Sequence, residues 1–130
     1  MIKLTFFLCR LPHLSREEFQ AYWVGPHREI MIRHKAMLGY RRYVQADTIG
    51  GETAARIEGS RGGPEPYDGT AENWYDDMES FERALSSDAG KTKGGELIED
   101  EKRFIDMANS PVWPTNARER NASLELRAPQ

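Results

Sequence analysis

The first predicted strand, residues 2–10, carries bulky apolar side chains on both of its faces. Alternation divides it into two sets, one on each face: Ile2, Leu4, Phe6 and Leu8 against Lys3, Thr5, Phe7 and Cys9. Burial of apolar side chains away from water stabilises a fold. A sheet built on this strand therefore needs other structural elements packed against both of its faces. Helices can cover one side, and a second copy of the chain can cover the other, which predicts a homodimer.

A helix is predicted to begin shortly after this strand. Residues 15–18 match a capping box, with Ser15 at the N-cap and Glu18 three residues later. The helix should run to about Met37 and place five residues on one face: Phe19, Trp23, His27, Ile30 and His34. Pro26 has no N–H to donate to the carbonyl of Tyr22, so a kink is expected at residues 25–26.

The rest of the chain predicts a strand, a second helical region and two further strands. The predicted elements are a strand over 40–49 after Gly39, a mobile loop over 50–66, a strand over 67–75, a helix over 76–87, a polar loop over 88–95, a short helix over 96–104 and a last strand within 105–118. In the helix over 76–87, the residues expected to face the core are Met78, Phe81 and Leu85. Pro111 and Pro114 would confine the last strand to an edge of the sheet.

This order predicts an α+β fold. The pattern β-α-β-β-α-β suits a four-stranded antiparallel sheet with helices on one face. A chain of 130 residues is long enough for one domain with a modest core. We expect that domain to span residues 1–119 and residues 120–130 to form a C-terminal tail.

Composition and charge exclude several classes of partner. The net charge is −3 with no basic stripe, which argues against nucleic acid. No apolar run approaches the ~20 residues that span a bilayer, and no signal peptide is recognisable, so we expect a cytoplasmic protein without a membrane partner. Cys9 is the single cysteine and cannot form an internal disulfide.

Motifs for metals and nucleotide cofactors are absent from the sequence. His27 and His34 are seven residues apart, a spacing that does not match the zinc-binding pair of a His-Glu-x-x-His helix. No glycine-rich dinucleotide fingerprint occurs. The sequence therefore predicts a protein that works without a cofactor.

Three segments together resemble the EthD family of the dimeric α/β-barrel proteins. They are Leu-Ser-Arg-Glu-Glu-Phe-Gln-Ala-Tyr-Trp-Val-Gly-Pro-His at 14–27, Tyr-Asp-Gly-Thr-Ala-Glu-Asn-Trp-Tyr at 67–75, and Asp-Glu at 100–101 followed by Arg-Phe-Ile-Asp at 103–106. The resemblance covers roughly residues 2–107. It implies a ferredoxin-like subunit whose sheet packs against the sheet of a second subunit. It also implies a pocket between the sheet and the helices or at the barrel mouth.

His27 is the leading candidate for chemistry. It lies one helical turn after Trp23 on an otherwise apolar face, where burial would keep its imidazole neutral at physiological pH. A neutral imidazole can accept a proton and then return it. The alternative is a core histidine that bonds a backbone carbonyl left free by Pro26.

Six residues are expected to bind a substrate: Trp23, Tyr40, Tyr43, Asp68, Glu72 and Trp74. Asp68, Glu72 and Trp74 share a strand face, and one of these carboxylates could orient His27. The alternative is an ion pair with Arg41 or Arg42 of the neighbouring strand. The two tyrosines could donate to a developing oxyanion, or pack with their hydroxyls in water.

Two classes of function follow from the resemblance and from His27. The first is a cofactor-independent lyase or isomerase, of the dehydratase, decarboxylase or cyclase type, that moves a proton on a small hydrophobic, oxygenated molecule such as an aromatic, lactone or polyketide. The second is an accessory or ligand-binding protein of an oxidoreductase pathway that degrades ethers or aromatic compounds. A related alternative is a small monooxygenase, with haem on His27 or without a cofactor. Fold alone does not decide between them.

Overall fold

The computed structural model describes residues 1–118. Its strands are β1 (Ile2–Leu8), β2 (Arg42–Asp47), β3 (Gly69–Tyr75) and β4 (Val112–Asn116). Its α-helices are α1 (Arg16–Tyr22), α2 (Arg28–Arg33), α3 (Lys35–Leu38), α4 (Glu52–Gly59), α5 (Met78–Ser86) and α6 (Asp88–Glu101). A π-helical segment, Trp23–His27, joins α1 to α2, and a short 3₁₀ turn, Met107–Asn109, precedes β4.

The four strands form one open antiparallel sheet in the order β2-β3-β1-β4. β1 lies between β3 and β4, with Phe6 opposite both Ala71 and Val112. β4 is an edge strand, as its two prolines predicted. The predicted α+β architecture with a four-stranded sheet is confirmed.

The sheet has an inner face under the helices and an outer face on the opposite side. The inner face of β1 contributes Ile2, Leu4, Phe6 and Leu8 to the core, as the alternation predicted. Buried residues on this side form two clusters. The Trp23 cluster contains Leu8, Phe19, Trp23, Ala71, Phe104 and Ile105, and the Tyr40 cluster contains Met31, Tyr40, Tyr75 and Leu97.

The long helical region begins where the sequence predicted, and it departs from regular α-helical geometry at the predicted kink site. The capping box is present: the Ser15 hydroxyl accepts from the N–H of Glu18 at 3.0 Å, and the Glu18 carboxylate accepts from the N–H of Ser15 at 3.0 Å. At Pro26 the helix widens by one residue, and the N–H of Arg28 donates to the carbonyl of Trp23 five residues earlier. The extra residue shifts the buried face, so Met31 is buried where Ile30 was predicted.

The strand after Gly39 begins two residues later than predicted. Gly39 ends α3 in the left-handed conformation with φ 76°, as expected of a C-terminal glycine. Tyr40 and Arg41 then precede β2 instead of beginning it. Tyr40 turns into the core, whereas the Arg41 guanidinium lies at the surface and donates to Asp76 at 2.9 Å.

Two predicted loops contain helices. The segment over 50–66 holds α4, none of whose residues is buried. The polar segment over 88–95 is the first half of α6, which Ser87 caps by accepting from the N–H of Gly90 at 2.9 Å. A Cβ at Gly90 would lie 1.9 Å from the carbonyl oxygen of Ala84, so this glycine permits the close approach of α5 and α6.

Only one of three predicted core residues of α5 faces the core. Phe81 packs against Tyr75 with a ring distance of 4.9 Å, whereas Met78 and Leu85 are exposed. α5 is capped by Asp77, which accepts from the N–H of Ser80 at 2.7 Å. Two side chains of the helix, Phe81 and Ala84, pack against the Tyr40 cluster.

Within residues 1–118 no helix combines the length and apolarity needed to cross a bilayer. The cytoplasmic location stays a prediction. The predicted tail, residues 120–130, lies outside the described residues, and so does the boundary expected at residue 119.

Candidate functional site

A cavity of about 60 Å³ separates the two apolar clusters beneath the sheet. Most of its wall is apolar: Phe6, Leu8, Trp23, Met31, Ala71, Leu97 and Ile105. Four polar side chains interrupt this wall: His27, Tyr43, Asn73 and Glu101. A small number of polar groups in an apolar concavity is typical of a small-molecule site.

The imidazole of His27 is buried and held by a carboxylate. Its Nδ1 lies 2.8 Å from Oδ2 of Asp100, and its ring packs against Phe104 with a ring distance of 5.1 Å. Burial lowers the pKa of His27 below its ordinary value of 6.5, although the bond to Asp100 opposes that shift. An ionised Asp100 accepts the Nδ1 proton and leaves the lone pair on Nε2.

Asp100 is itself fixed by a second hydrogen bond. The Tyr22 hydroxyl donates to Oδ1 of Asp100 at 2.5 Å, while Oδ2 serves His27. Burial and the bond to this carboxylate raise the pKa of Tyr22, so its hydroxyl stays a donor. Tyr22, His27 and Asp100 thus form a chain of hydrogen bonds that links α1, the π-helical segment and α6.

Glu101 brings a second carboxyl group to the cavity. Burial, together with the neighbouring charge of Asp100, raises the pKa of Glu101 to about 7. No side chain in the described part of the chain donates a hydrogen bond to it. Near neutral pH it is therefore present partly as the neutral acid, which can donate a proton.

Asn73 and Tyr43 complete the polar wall from the sheet. Oδ1 of Asn73 is buried and accepts no hydrogen bond from residues 1–118. The Tyr43 hydroxyl accepts from Nε2 of Gln45 at 2.8 Å, and burial raises the pKa of Tyr43 to about 12. Tyr43 is therefore a neutral hydroxyl at physiological pH.

Of the six residues predicted to bind substrate, Trp23 and Tyr43 line the cavity with His27. Tyr40 does not, because its hydroxyl donates to the carbonyl of Met31 at 2.6 Å and its ring packs in the core. The packing alternative considered for the tyrosines describes Tyr40.

The remaining three predicted residues lie away from the cavity. Asp68 accepts from the N–H of Arg10 at 2.8 Å and from the side chains of Arg10 and Arg16. Although burial opposes it, these bonds hold the pKa of Asp68 below its usual range. Glu72 accepts from Lys3 at 3.0 Å and from the Trp74 indole at 3.2 Å. Glu72 and Trp74 are in register with Thr5 and Lys3 of β1 and share the outer face with them.

Two predictions about these carboxylates are therefore wrong. No β3 carboxylate orients His27, because Asp100 of α6 does so. Asp68 and Glu72 do form ion pairs, but their partners come from outside β2. Arg42 of β2 instead lies over the Trp74 ring, 5.4 Å from its centroid.

Sequence reasoning missed Asp100, Glu101, Tyr22 and Asn73 as site residues. The signal for the two acids was their position between Leu97 and Phe104, three or four residues away on either side. Carboxylates on an apolar helix face need partners or a raised pKa. For Asn73 the signal was a polar residue between Ala71 and Tyr75 on the inward face of β3.

In the part of the chain that the structure describes, no three or more His, Cys, Asp or Glu side chains are grouped in a way that could hold a metal ion. The polar groups of the cavity are instead two proton-transfer groups, an amide and a phenol. Such a set suits acid–base chemistry on a bound molecule.

A sequence profile of the EthD domain matches residues 11–108. This range contains every residue of the hydrogen-bonded chain and all of the cavity wall except Phe6 and Leu8. A comparison with curated protein sequences finds no match.

Solved structures with the same fold include two described as EthD proteins. An EthD family protein from Bacillus halodurans C-125 superposes with a TM-score of 0.60 at 20% identity, covering 91% of this chain and 99% of its own. An EthD-like protein from Ralstonia eutropha JMP134 gives 0.59 at 18% identity, covering 93% and 96%. A dimeric protein with a ferredoxin-like fold from Bacteroides fragilis NCTC 9343 gives 0.56 at 8% identity, covering 89% and 95%.

Proposed function

This chain belongs to the EthD family, and from that premise we propose that it catalyses proton transfer on a small, hydrophobic, oxygenated molecule, as a lyase or isomerase without a cofactor. The observation that carries the proposal is the pair formed by His27 and Glu101 in one cavity. Burial lowers the pKa of the histidine and raises that of the carboxylic acid. Two titratable groups whose pKa values are displaced in this way are suited to act as base and acid.

His27 is the proposed base. Asp100 holds the Nδ1 proton, so the lone pair on Nε2 is free to accept a proton from a substrate carbon next to a carbonyl group. The imidazolium that forms is stabilised by the negative charge of Asp100, which is held in place by Tyr22. Asp100 and Tyr22 act as positioning residues in this scheme.

Glu101 is the proposed acid. In its protonated form it donates to an oxygen of the substrate while His27 takes the carbon-bound proton. If that oxygen leaves as water, the reaction is a dehydration, and if it stays, the result is a shift of a double bond. Both outcomes conserve protons, and the enzyme is reset when His27 releases its proton and Glu101 regains one.

The experiment that tests the proposal requires no knowledge of the natural substrate. A panel of enolisable lactones and aromatic ketones is incubated with the protein in heavy water, and NMR detects deuterium at the carbon next to the carbonyl. Wild type should accelerate this exchange, and His27→Gln should reduce the rate by about 10²–10⁴-fold.

His34 provides the matched control. It lies on the same helical region, but its Nε2 pairs with Glu96 at 3.4 Å and it does not line the cavity. His34→Gln should keep the wild-type exchange rate. Wild-type protein that exchanges no member of the panel, or His27→Gln protein that exchanges as fast as wild type, would contradict the proposal and favour an accessory, ligand-binding role.

We also propose that the working unit is a homodimer joined through the outer face of the sheet. Phe7 and Trp113 stack there at 4.8 Å between ring centroids, and Trp113 is 47% exposed. Lys3 and Glu72 neutralise each other at the same surface. An apolar and charge-paired sheet face is suited to burial against a second copy, and the solved relative from Bacteroides fragilis is described as dimeric.

A further inference from the structure

We infer that the cavity binds a hydroxyl group of its ligand, an enol or a phenol, through Oδ1 of Asn73. This inference rests on the proposed function and names the chemical end of the substrate that enters the cavity. It begins from one atom: Oδ1 of Asn73 is buried and has no donor among residues 1–118, in a residue that is only 8% exposed.

An unpaired buried acceptor costs free energy, so its partner is expected to come from elsewhere. Asn73 and Tyr75 lie on the same buried face of β3, and the polar side chain of Asn73 lowers the pKa of Tyr75 against the larger effect of burial. Asn73 lines the cavity, and its buried oxygen has no donor among residues 1–118, so this oxygen is available to a ligand in the cavity. A ligand that satisfies this oxygen must carry a hydrogen-bond donor.

The other polar groups restrict what kind of donor fits. Glu101, as a neutral acid, donates to a ligand oxygen, and the lone pair of His27 accepts a proton. A hydroxyl oxygen can accept from Glu101 and donate to Asn73 at the same time, since a hydroxyl has one donor and two acceptor sites. An ammonium group would offer no acceptor to Glu101, and an ether would offer no donor to Asn73. A ketone gains the required donor when it is converted to its enol.

The cavity volume restricts the inference to one end of the ligand. An apolar cavity of ~150 Å³ can enclose a whole benzene molecule, and ~10–15 Å³ holds one water. At about 60 Å³ this cavity admits a hydroxyl and the carbon that bears it, while the rest of the ligand lies in the opening. Since Phe6, Leu8 and Ala71 line the same wall, that carbon is expected to belong to an apolar skeleton.

The test compares phenol with anisole, in which a methyl group replaces the hydroxyl hydrogen. Binding to the full chain is measured by NMR titration. Wild type should bind phenol roughly tenfold more tightly than anisole, because only phenol can donate to Asn73. An amide turned the other way would offer an N–H to either oxygen, so equal affinities would overturn the inference, and so would the failure of phenol to bind at millimolar concentrations.

Asn73→Leu is the matched variant, because leucine has a similar volume and no acceptor. It should abolish the preference for phenol while the melting temperature stays equal to wild type or rises, since an unsatisfied group is removed. A fall in melting temperature with the preference retained would show that the amide is an ordinary structural group. Should this variant fail to fold, Asn73→Thr keeps an oxygen acceptor and should keep a reduced preference, and complete loss of preference in a folded Asn73→Thr protein would count against the inference.

The proposed function and this inference can fail separately. His27→Gln should lose proton exchange yet still prefer phenol over anisole, because Asn73 is intact. If His27→Gln keeps its exchange activity, the proposed mechanism fails and the hydroxyl site stands. If wild type exchanges protons but binds both probes equally, the hydroxyl site fails and the mechanism stands.

Discussion

His27 and Glu101 share one cavity wall, yet burial moves their pKa values in opposite directions because it always disfavours the charged form. For His27 the charged form is protonated, and for Glu101 it is deprotonated. The same apolar surroundings therefore leave a neutral base and a neutral acid side by side near neutral pH. The negative charge of Asp100 reinforces this state at Glu101 and opposes it at His27.

The rate of proton exchange, plotted against pH, should give a bell-shaped curve with a narrow maximum. The rate should rise as His27 loses its proton, below pH 6.5, and should fall as Glu101 loses its proton, near pH 7. Rates of exchange from about pH 4 to pH 9 test this. In Glu101→Gln the falling limb should disappear, and a falling limb that persists unchanged in this variant would assign it to another group.

Stability should depend on pH through the same carboxyl group. Because the folded-state pKa of Glu101 is raised from 4.5 to about 7, the folded protein holds this proton where the unfolded chain has released it. Stability is therefore lost as pH rises through that interval. Glu101→Gln should raise the melting temperature at about pH 8 and change it little at about pH 5. Equal effects at both pH values would contradict a buried, neutral acid.

Asp100→Asn tests the tautomer of His27. An asparagine amide can donate to Nδ1, which would move the imidazole proton to Nε2 and remove the base from the cavity. Exchange should fall by about 10²-fold or more, and ¹⁵N NMR of the ring should report the changed tautomer. Asp76→Asn removes a surface partner of Arg41 and should leave both measurements unchanged.

At the scale of single residues, the sequence was sufficient to find His27 but not its partner. The apolar residues around His27 lie close in sequence, so helical periodicity shows its burial. Asp100 is 73 residues away, and its contact with His27 depends on how α6 crosses the first helical region. Only the packing of the whole core brings these two side chains together.

At the scale of elements, the π-helical segment aligns the site. Phe19 and Met31 are twelve residues apart and would point about 120° away from each other on a regular helix of 3.6 residues per turn. The additional residue in the Trp23–His27 turn corrects that offset. Four residues spaced four apart therefore face the core, and all are buried: Phe19, Trp23, His27 and Met31. Pro26 lies inside this turn and favours a departure from regular geometry, since it has no N–H for a regular helical bond.

Pro26→Ala should therefore disturb His27 without unfolding the protein. The new N–H permits a regular helix, which would rotate His27 relative to Asp100 and lower the exchange rate at least about tenfold. The ¹⁵N signal of the Nδ1–H group should report the altered bond. Gly25→Ala is the control: its Cβ would meet nothing within 4 Å, so exchange should persist and stability should rise by about 0.5–1 kcal/mol.

The sequence predicted capped helix boundaries correctly, but it did not predict that residues 88–95 are helical. Ser15 and Gly39 mark their boundaries by local chemistry that does not depend on the rest of the fold. In contrast, Gly90, Gly94 and Gly95 lower helix propensity and predicted a loop where α6 runs. Packing of Leu97 and Phe104 in the core outweighs that cost, and local propensity contains no information about such contacts.

At the scale of the whole molecule, the proposed homodimer contact lies on the outer face of the sheet. Sedimentation at micromolar concentration should give twice the 14.9 kDa mass of the chain, because the aromatic outer face favours a second copy. Trp113→Glu would place a charge beside Phe7 within that contact and should shift the protein to monomer. Leu85→Glu is the control, because Leu85 is also exposed, at 58%, but lies on α5 away from the outer face. A wild-type monomer, or a dimer that survives Trp113→Glu and dissociates with Leu85→Glu, would show that the contact lies elsewhere.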